Sequence, residues 1–329
     1  MTGVRIGILG AARITPLALI EPARERSDVT VAAIAARDPV RARKFAERYG
    51  IAKVHASYED LLADPDVDAV YIPLPNGLHG RWTIAALRAG KHVLCEKPFT
   101  ANASEAEAVA VVAANSDRVV MQAFHYRYHA LTARMLEIIG SGELGEIKRI
   151  EARFCIPLPI KDIRWDLGLA GGSLMDTGGY AIHLVRTLAG AEPRVRSARA
   201  KLHSPGVDRL LQAELEFADG RTGAVTGGLL SAHLLSIAAK VTGSQGAMEI
   251  TNFVMPQYWH RLTIRTPQGK HTERVAKHPS SYGAQLRVFA DAVLNGGPVL
   301  TDVADAVATM RVIDACYAAA GLPRREPTR

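Results

Sequence analysis

The sequence predicts an α/β protein, a doubly wound parallel sheet followed by a second, α+β domain with a mostly antiparallel sheet. Three observations carry this. A chain of 329 residues exceeds what one hydrophobic core usually supports, so two domains are expected. Over residues 4–121 short apolar runs alternate with amphipathic segments, and regular β-α alternation builds a parallel sheet with helices on both faces. Over residues 194–266 strand-like runs follow one another without intervening helices, which builds an antiparallel sheet. The boundary falls near residue 123, giving domains 1–123 and 124–329.

In the first domain Val4–Leu9, Val29–Ala36, Ala69–Ile72, His92–Leu94 and Val119–Met121 read as buried strands, being short, apolar and bounded by turns or charges. Residues 39–49, 58–63, 78–89 and 104–115 between them carry Ala, Leu and Val at helical spacing. Asp64-Pro65-Asp66 is turn chemistry, and Gly90 closes a helix. In the second domain a helix over 129–141 leads into the alternating strand Ile147–Ile156, and a glycine-rich helix spans 173–189. Strands follow over 194–203, 209–217, 222–229, 234–242 and 261–266, with Asp219-Gly220 as a hairpin turn. Alanine-rich helices over 281–294 and 303–320 close the chain.

Composition narrows the function classes. No apolar run reaches the ~18 residues of a membrane span. The N-terminus leads into a short apolar run and glycine rather than a secretory core and cleavage site. Three scattered cysteines, Cys95, Cys155 and Cys316, suit free thiols in a reducing compartment, so the cytoplasm is expected. The net charge is +7, but basic residues are interspersed with acids, as in Arg41-Ala42-Arg43-Lys44-Phe45-Ala46-Glu47-Arg48. That is a solvated helix face, and no nucleic-acid partner is expected. With no H-E-x-x-H, clustered cysteines or carboxylate-rich loop, no metal is expected either.

The first strand runs into Gly10-Ala11-Ala12-Arg13-Ile14-Thr15. A strand, a tight turn of small residues and a helix start are what a dinucleotide pyrophosphate requires, because backbone N–H groups must approach its oxygens. The pattern departs from G-x-G-x-x-G, with Ala12 at the second glycine and Thr15 at the third. The second strand ends Ala35-Ala36-Arg37-Asp38, with alanine where an NAD site usually carries an acid for the ribose. Arg37 can pair with a 2′-phosphate, which favours NADP, with NAD as the other possibility. The competing reading leaves Arg37 on the surface and makes Asp38 the helix cap or the ribose ligand.

Three further stretches extend the pattern: Tyr71-Ile72-Pro73-Leu74-Pro75-Asn76-Gly77-Leu78-His79, Cys95-Glu96-Lys97-Pro98-Phe99 and Gly171-Gly172-Ser173-Leu174-Met175-Asp176-Thr177-Gly178-Gly179-Tyr180. With the N-terminal turn, they make the whole chain resemble the Gfo/Idh/MocA oxidoreductases. The variant with Tyr180 and Arg37 looks nearest the dimeric dihydrodiol dehydrogenases, glucose–fructose oxidoreductases and NADP-linked aldose dehydrogenases. The resemblance implies an N-terminal Rossmann domain and a C-terminal domain whose open, mostly antiparallel sheet lines the substrate pocket. It implies that Lys97 and the motif around Asp176 meet above the nicotinamide, and that a homodimer or homotetramer forms through the C-terminal sheet. Inositol dehydrogenase-like members usually carry histidine where this chain has Tyr180, which argues against an inositol substrate.

Hydride leaving an alcohol carbon must be matched by a proton leaving its oxygen, and a positioned acid/base contributes ~10²–10⁴-fold. A free tyrosine titrates near pH 10, and a neighbouring ammonium favours its phenolate. The expected catalytic set is therefore Tyr180 as proton donor and acceptor, Lys97 as polariser or alternative donor, and Asp176 as orienter. Cofactor contacts are expected from Gly10, Ala11, Ala12, Arg13, Ile14, Arg37, Leu74, Asn76, His79, Glu96, Lys97 and Arg127. Of these, His79 either touches ribose or caps its helix, and Arg127 either reaches the cofactor or forms a hinge or interface salt bridge. Lys97, Arg164, Trp165, Tyr180 and His183 are the substrate candidates, with an ordered loop as the other reading of Arg164-Trp165. Pro98 follows a strand end, where a cis bond is possible though the minority form. The function expected is NAD(P)-dependent hydride transfer to or from a sugar, polyol, diol or related carbonyl carbon. The alternatives are a non-catalytic nucleotide-binding regulator or sensor, and a glycosidase using transient internal redox with NAD.

Overall fold

Val4–Leu9, Ala69–Ile72 and His92–Cys95 form strands because each is a short, mostly apolar run, buried along nearly its whole length, as a strand covered on both faces must be. The computed structural model describes residues 3–328. Among these, the chain falls into two units.

The first unit holds β1 (Val4–Leu9), a π-helical turn Pro16–Ile20 continuing as α1 (Glu21–Arg24), and β2 (Val29–Ala35). It goes on through α2 (Pro39–Tyr49), β3 (Lys53–His55), α3 (Tyr58–Ala63), β4 (Ala69–Ile72), α4 (His79–Arg88), β5 (His92–Cys95), α5 (Ala103–Ala114) and β6 (Val120–Gln122). The strands are ordered β3-β2-β1-β4-β5-β6 and every pairing is parallel. The order reverses between β1 and β4, the switch point at which ligands bind beyond the carboxyl ends of the strands. This is the expected doubly wound α/β sheet. β3 was not expected from the sequence: it is a short edge strand without a buried residue, so it carries no hydrophobic alternation.

The second unit holds α6 (Ala130–Gly140), β7 (Ile147–Cys155), a π-helical turn Leu174–Gly178 continuing as α7 (Gly179–Ala189), β8 (Arg194–Ser204), β9 (Val207–Glu216) and β10 (Thr222–Gly228). β11 (Ser236–Gly243), β12 (Ala247–Thr251), β13 (Arg261–Thr266) and β14 (Gly269–Glu273) follow. The sheet order is β14-β13-β12-β11-β7-β10-β9-β8, antiparallel except for the central β7–β10 pair. α7 crosses over this parallel pair. The π-helical turn before it lies close to β10 because glycines face each other, a Cβ on Gly227 falling 2.6 Å from Gly178 Cα. β12 and β14 were not expected either; β14 is polar and exposed over most of its length, as an edge strand has to be.

The final helices α8 (Ser281–Asn295) and α9 (Val303–Ala319) each change unit part-way, so Tyr282–Val307 belongs to the first unit. The sequence boundary at residue 123 assigned that segment to the second domain. Its attachment is specific: Gln122 N donates to Thr301 O (2.8 Å) and Thr301 Oγ1 to Gln122 O (2.6 Å), while Tyr282 stacks on His125 with centroids 3.9 Å apart. Among the described residues no helix is long and apolar enough to cross a membrane.

Candidate active site

The phosphate turn is shaped by its one glycine. Gly10 has φ +105° and donates its N–H to Ala35 O at 2.7 Å, and a Cβ there would lie 2.9 Å from Leu74 Cδ2. Only glycine accepts this backbone without strain. Leu74 thus flanks the turn that Ala11, Ala12, the exposed Arg13 and Ile14 complete. Thr15 Oγ1 is buried at the helix start without a hydrogen-bond partner, and the helix dipole behind it favours an anion. A glycine-shaped turn of small residues at the end of β1, with an unsatisfied hydroxyl beside it, fits a dinucleotide pyrophosphate.

At the end of β2, Asp38 is the N-cap of α2, accepting Val40 N at 2.9 Å and Arg41 N at 3.3 Å. One carboxylate oxygen, Oδ1, is thereby used as the helix cap. Arg37 is exposed beside it. Arg41, which sequence reasoning passed over as part of a solvated helix face, sends Nη2 back to Ala11 O at 2.6 Å. Burial raises the pKa of Tyr58, opposed by a backbone hydrogen bond from Arg37 and by the charges of Arg37 and Arg41. Two guanidinium groups and a phenol therefore gather at the rim of the phosphate turn. The available signal was positional, a second arginine in the first turn of the helix that follows β2.

His79 is turned inward. Its ring is fully buried with Nδ1 2.6 Å from Pro98 O and Nε2 2.7 Å from Leu74 O, so it ties together the segments after β4 and β5. Burial, with a smaller push from Lys97, lowers its pKa to about 4 against the two carbonyls, which favour the charged ring. Asn76, half-buried, opens the turn Asn76–Leu78 just before it. The carboxylate of Glu96 accepts Tyr71 Oη (2.7 Å) and Lys97 N (3.2 Å). This holds the backbone at the half-buried Lys97, whose bond to Pro98 is cis.

The second unit assembles Asp176, Tyr180 and His183 on one helical run. The π turn has begun by Leu174, so Asp176 and Tyr180 are both helical, and π turns often mark functional sites. Gly171 N donates to Asp166 O (2.9 Å) and Gly172 N to Arg164 O (2.8 Å), which folds the preceding loop back. Arg164 Nε then meets Asp176 Oδ2 at 2.9 Å while Nη1 meets Asp162 Oδ1 at 3.0 Å. Asp176, and then Asp162, raise the pKa of Arg164. Tyr180 is buried between the edges of Phe154 (centroids 5.5 Å apart) and Tyr126 (5.9 Å). Tyr126 Oη lies 2.5 Å from His183 Nδ1, a pairing that no sequence signal announced. Arg127 is half-buried in the turn His125–Tyr128.

Trp165 is buried. Its indole stacks on His203 (4.2 Å), Nε1 donates to Pro159 O (2.9 Å), and it packs on Val207 and Leu229. Trp165 is thus engaged by its own loop and the sheet, whereas Arg164 engages Asp176. Among the described residues no group of three or more His, Cys, Asp or Glu is placed to hold a metal ion.

Comparison with known proteins agrees with this geometry. Residues 4–124 match the GFO_IDH_MocA family, described as an oxidoreductase family with an NAD-binding Rossmann fold, and residues 132–249 match the GFO/IDH/MocA C-terminal domain. The chain belongs to the Gfo/Idh/MocA oxidoreductases. Among members of this family, the NADP(+) D-xylose 1-dehydrogenase 2 of Haloferax volcanii is 39% identical over 95% of this chain and 96% of its own. The trans-1,2-dihydrobenzene-1,2-diol dehydrogenase of Xenopus laevis is 30% identical over 76% of this chain and 74% of its own. KijD10, a 3-ketoreductase from Actinomadura kijaniata solved with NADP and TDP-benzene, superposes with a TM-score of 0.90 at 30% identity, covering 96% of this chain and 98% of that one. The Gfo/Idh/MocA fold expected from the sequence is therefore the fold observed, and the chain is a nicotinamide-dependent oxidoreductase by family.

Proposed function

We propose that this chain is an NADP-dependent dehydrogenase or reductase acting on a CH–OH or carbonyl carbon of a sugar, polyol or diol. The observation that carries the reading is the pairing, in one chain, of a glycine-shaped phosphate turn at the end of β1 with a buried tyrosine four residues past an arginine-paired aspartate. A binding module has use for the first only. The relatives' names support the substrate class, since they name a xylose, a dihydrodiol and a nucleotide-linked didehydro sugar.

Gly10, Ala11, Ala12, Arg13 and Ile14 hold the pyrophosphate, and Arg37 with Arg41 recognise the 2′-phosphate. Leu74, Asn76 and Glu96 flank the cofactor, with Arg127 as an outlying contact. NADP, when bound, takes up or supplies the hydride. Tyr180 carries the proton to or from the substrate oxygen, and the aromatic rings around it exclude water from its flanks. Lys97 is assigned as polariser or alternative proton donor, since an ammonium can favour a phenolate. Arg164 fixes Asp176 through their ion pair, so that Asp176 serves as the orienting carboxylate. His183, held by Tyr126, reads a substrate hydroxyl. The buried free thiols Cys95, Cys155 and Cys316 suit a cytoplasmic enzyme, working as a homo-oligomer through the C-terminal sheet.

The test is a panel of D-xylose, other aldoses, ketoses, polyols, trans-diols and nucleotide-linked keto sugars. Turnover is followed by reduced-nicotinamide absorbance, with Lys97→Ala as the blank. NADP-linked turnover absent from the blank is expected. Tight NADPH binding without turnover on any member would reject the enzyme reading in favour of a regulator. Glycoside hydrolysis without net cofactor change would replace it with internal redox.

A further inference from the structure

We propose that Asp208, Tyr317 and Arg325 are positioning residues of the active site, a buried clasp that sets the turn from which Asp176 and Tyr180 project. The proposal rests on the reading of Tyr180 as the proton carrier. Asp208, on β9, and Arg325, beyond α9, are both completely buried. Asp208 Oδ1 accepts from Arg325 Nη2 (2.8 Å) and Tyr317 Oη (3.0 Å), and Oδ2 accepts from Ser173 Oγ (2.6 Å) and Leu174 N (2.8 Å). Arg325 Nε donates to Gly171 O at 2.7 Å, and its guanidinium lies 4.0 Å above the Tyr317 ring. One cluster thereby grips Gly171, Ser173 and Leu174.

The grip leaves no room between them. Gly172 has φ +131°, and a Cβ there would fall onto Asp208 Oδ1, 2.7 Å from Arg325 Nη2 and 2.9 Å from Tyr317 Oη. The backbone is moulded on the charges. A buried ion pair is a poor means of adding stability, since apolar residues of equal volume often do at least as well. What a carboxylate with four donors and a fork-shaped guanidinium supply is direction. Thr177 Oγ1 continues the fixation by donating to Ser173 O at 2.9 Å. Asp176 then stands two residues beyond the gripped Leu174, and Tyr180 four residues further on.

A displacement of about 1 Å in a reacting group costs ~10²-fold in rate, so loosening the clasp acts on kcat. The experiment uses the full chain with Arg325→Met, Arg325→Lys and Tyr317→Phe. Arg324→Ala is the control, its exposed side chain pairing with Glu326 two residues on. Two readouts are taken: amide hydrogen exchange over residues 173–183 against β1–β6, and kcat, KM and NADPH Kd. Arg325→Met and Tyr317→Phe are expected to speed exchange over 173–183 by ~10-fold, with β1–β6 unchanged. kcat falls by ~10²-fold at unchanged KM and Kd, and Arg325→Lys recovers part of it. Unchanged exchange over 173–183 overturns the proposal, as does wild-type kcat in a variant whose exchange has risen. Should Arg325→Met not fold, Tyr317→Phe decides alone, keeping the ring under the guanidinium and losing one hydrogen bond. If Tyr180→Phe retains wild-type kcat, the reading of Tyr180 has failed. If it does not and the clasp variants are fully active, the clasp has failed.

Discussion

Gly172→Ala is the sharpest perturbation of the second unit. A side chain at φ +131° costs ~1–3 kcal/mol in backbone strain. The new methyl also falls among Asp208 Oδ1, Arg325 Nη2 and Tyr317 Oη. None of these can retreat cheaply, because Asp208 is held by Ser173 and Leu174, and Arg325 by Gly171. Prising apart a buried ion pair costs ~3–5 kcal/mol, which puts the total at ~4–8 kcal/mol. Gly190→Ala is the calibrating substitution: φ is +60° with nothing within 4 Å of the added Cβ, so only the left-handed cost of ~1–2 kcal/mol applies. Because the two units need not unfold together, the assay is amide hydrogen exchange in β9 and β10, which reads opening of this unit directly. Exchange in Gly172→Ala should outpace that in Gly190→Ala by ~10²-fold or more, each tenfold corresponding to ~1.4 kcal/mol. Equal exchange in the two variants would refute the steric reasoning and leave only a backbone effect.

Other expectations follow from the site. Lys97→Ala and Tyr180→Phe should each lower kcat by ~10²–10⁴-fold while NADPH Kd, measured by fluorescence titration, stays within about twofold; full turnover in either variant rejects its role. Arg37→Ala and Arg41→Ala should each weaken NADPH by ~10-fold, the worth of a charged hydrogen bond, and leave NADH almost unaffected. Equal losses for both cofactors would remove the 2′-phosphate from the explanation. Stability should also fall in acid because of His79, whose folded pKa of about 4 lies below its ordinary value of 6.5. Between these values the unfolded chain binds a proton that the folded chain does not, so its contribution is complete above pH 6.5 and lost as pH falls to 4. The loss approaches ~3 kcal/mol. His79→Asn should flatten that stretch of the stability–pH curve relative to wild type, and an unchanged slope would show that the ring protonates in place.

The fold was legible wherever burial leaves a period in the sequence. β1, β4, β13 and α2 lie where their apolar spacing put them, because a covered strand or an amphipathic helix must repeat its apolar residues locally. β3 and β14 were not legible, since edge strands are polar and rely on a neighbour for their conformation. In the site, Gly10, Asp38 and the Asp176–Tyr180 spacing could be read because each is set within a few residues. Arg41, Tyr126 and the Trp165–His203 stack could not, because their partners lie tens of residues away and no local pattern encodes the pairing.

By itself the sequence determined the two-part α/β and α+β plan, the small-residue turn after β1 and the Asp176–Tyr180 spacing, each set within a short stretch of chain. Only the tertiary structure decided that Tyr282–Val307 returns to the first unit through Thr301 and Gln122. It also turned His79 inward to two carbonyls and gave Asp176 to Arg164. It fastened the turn at Gly171–Leu174 with Arg325, 117 residues from its partner Asp208. The reason is physical: a buried charge requires a partner, but nothing in a linear chain specifies which distant residue supplies it until the sheet and helices have brought the candidates together.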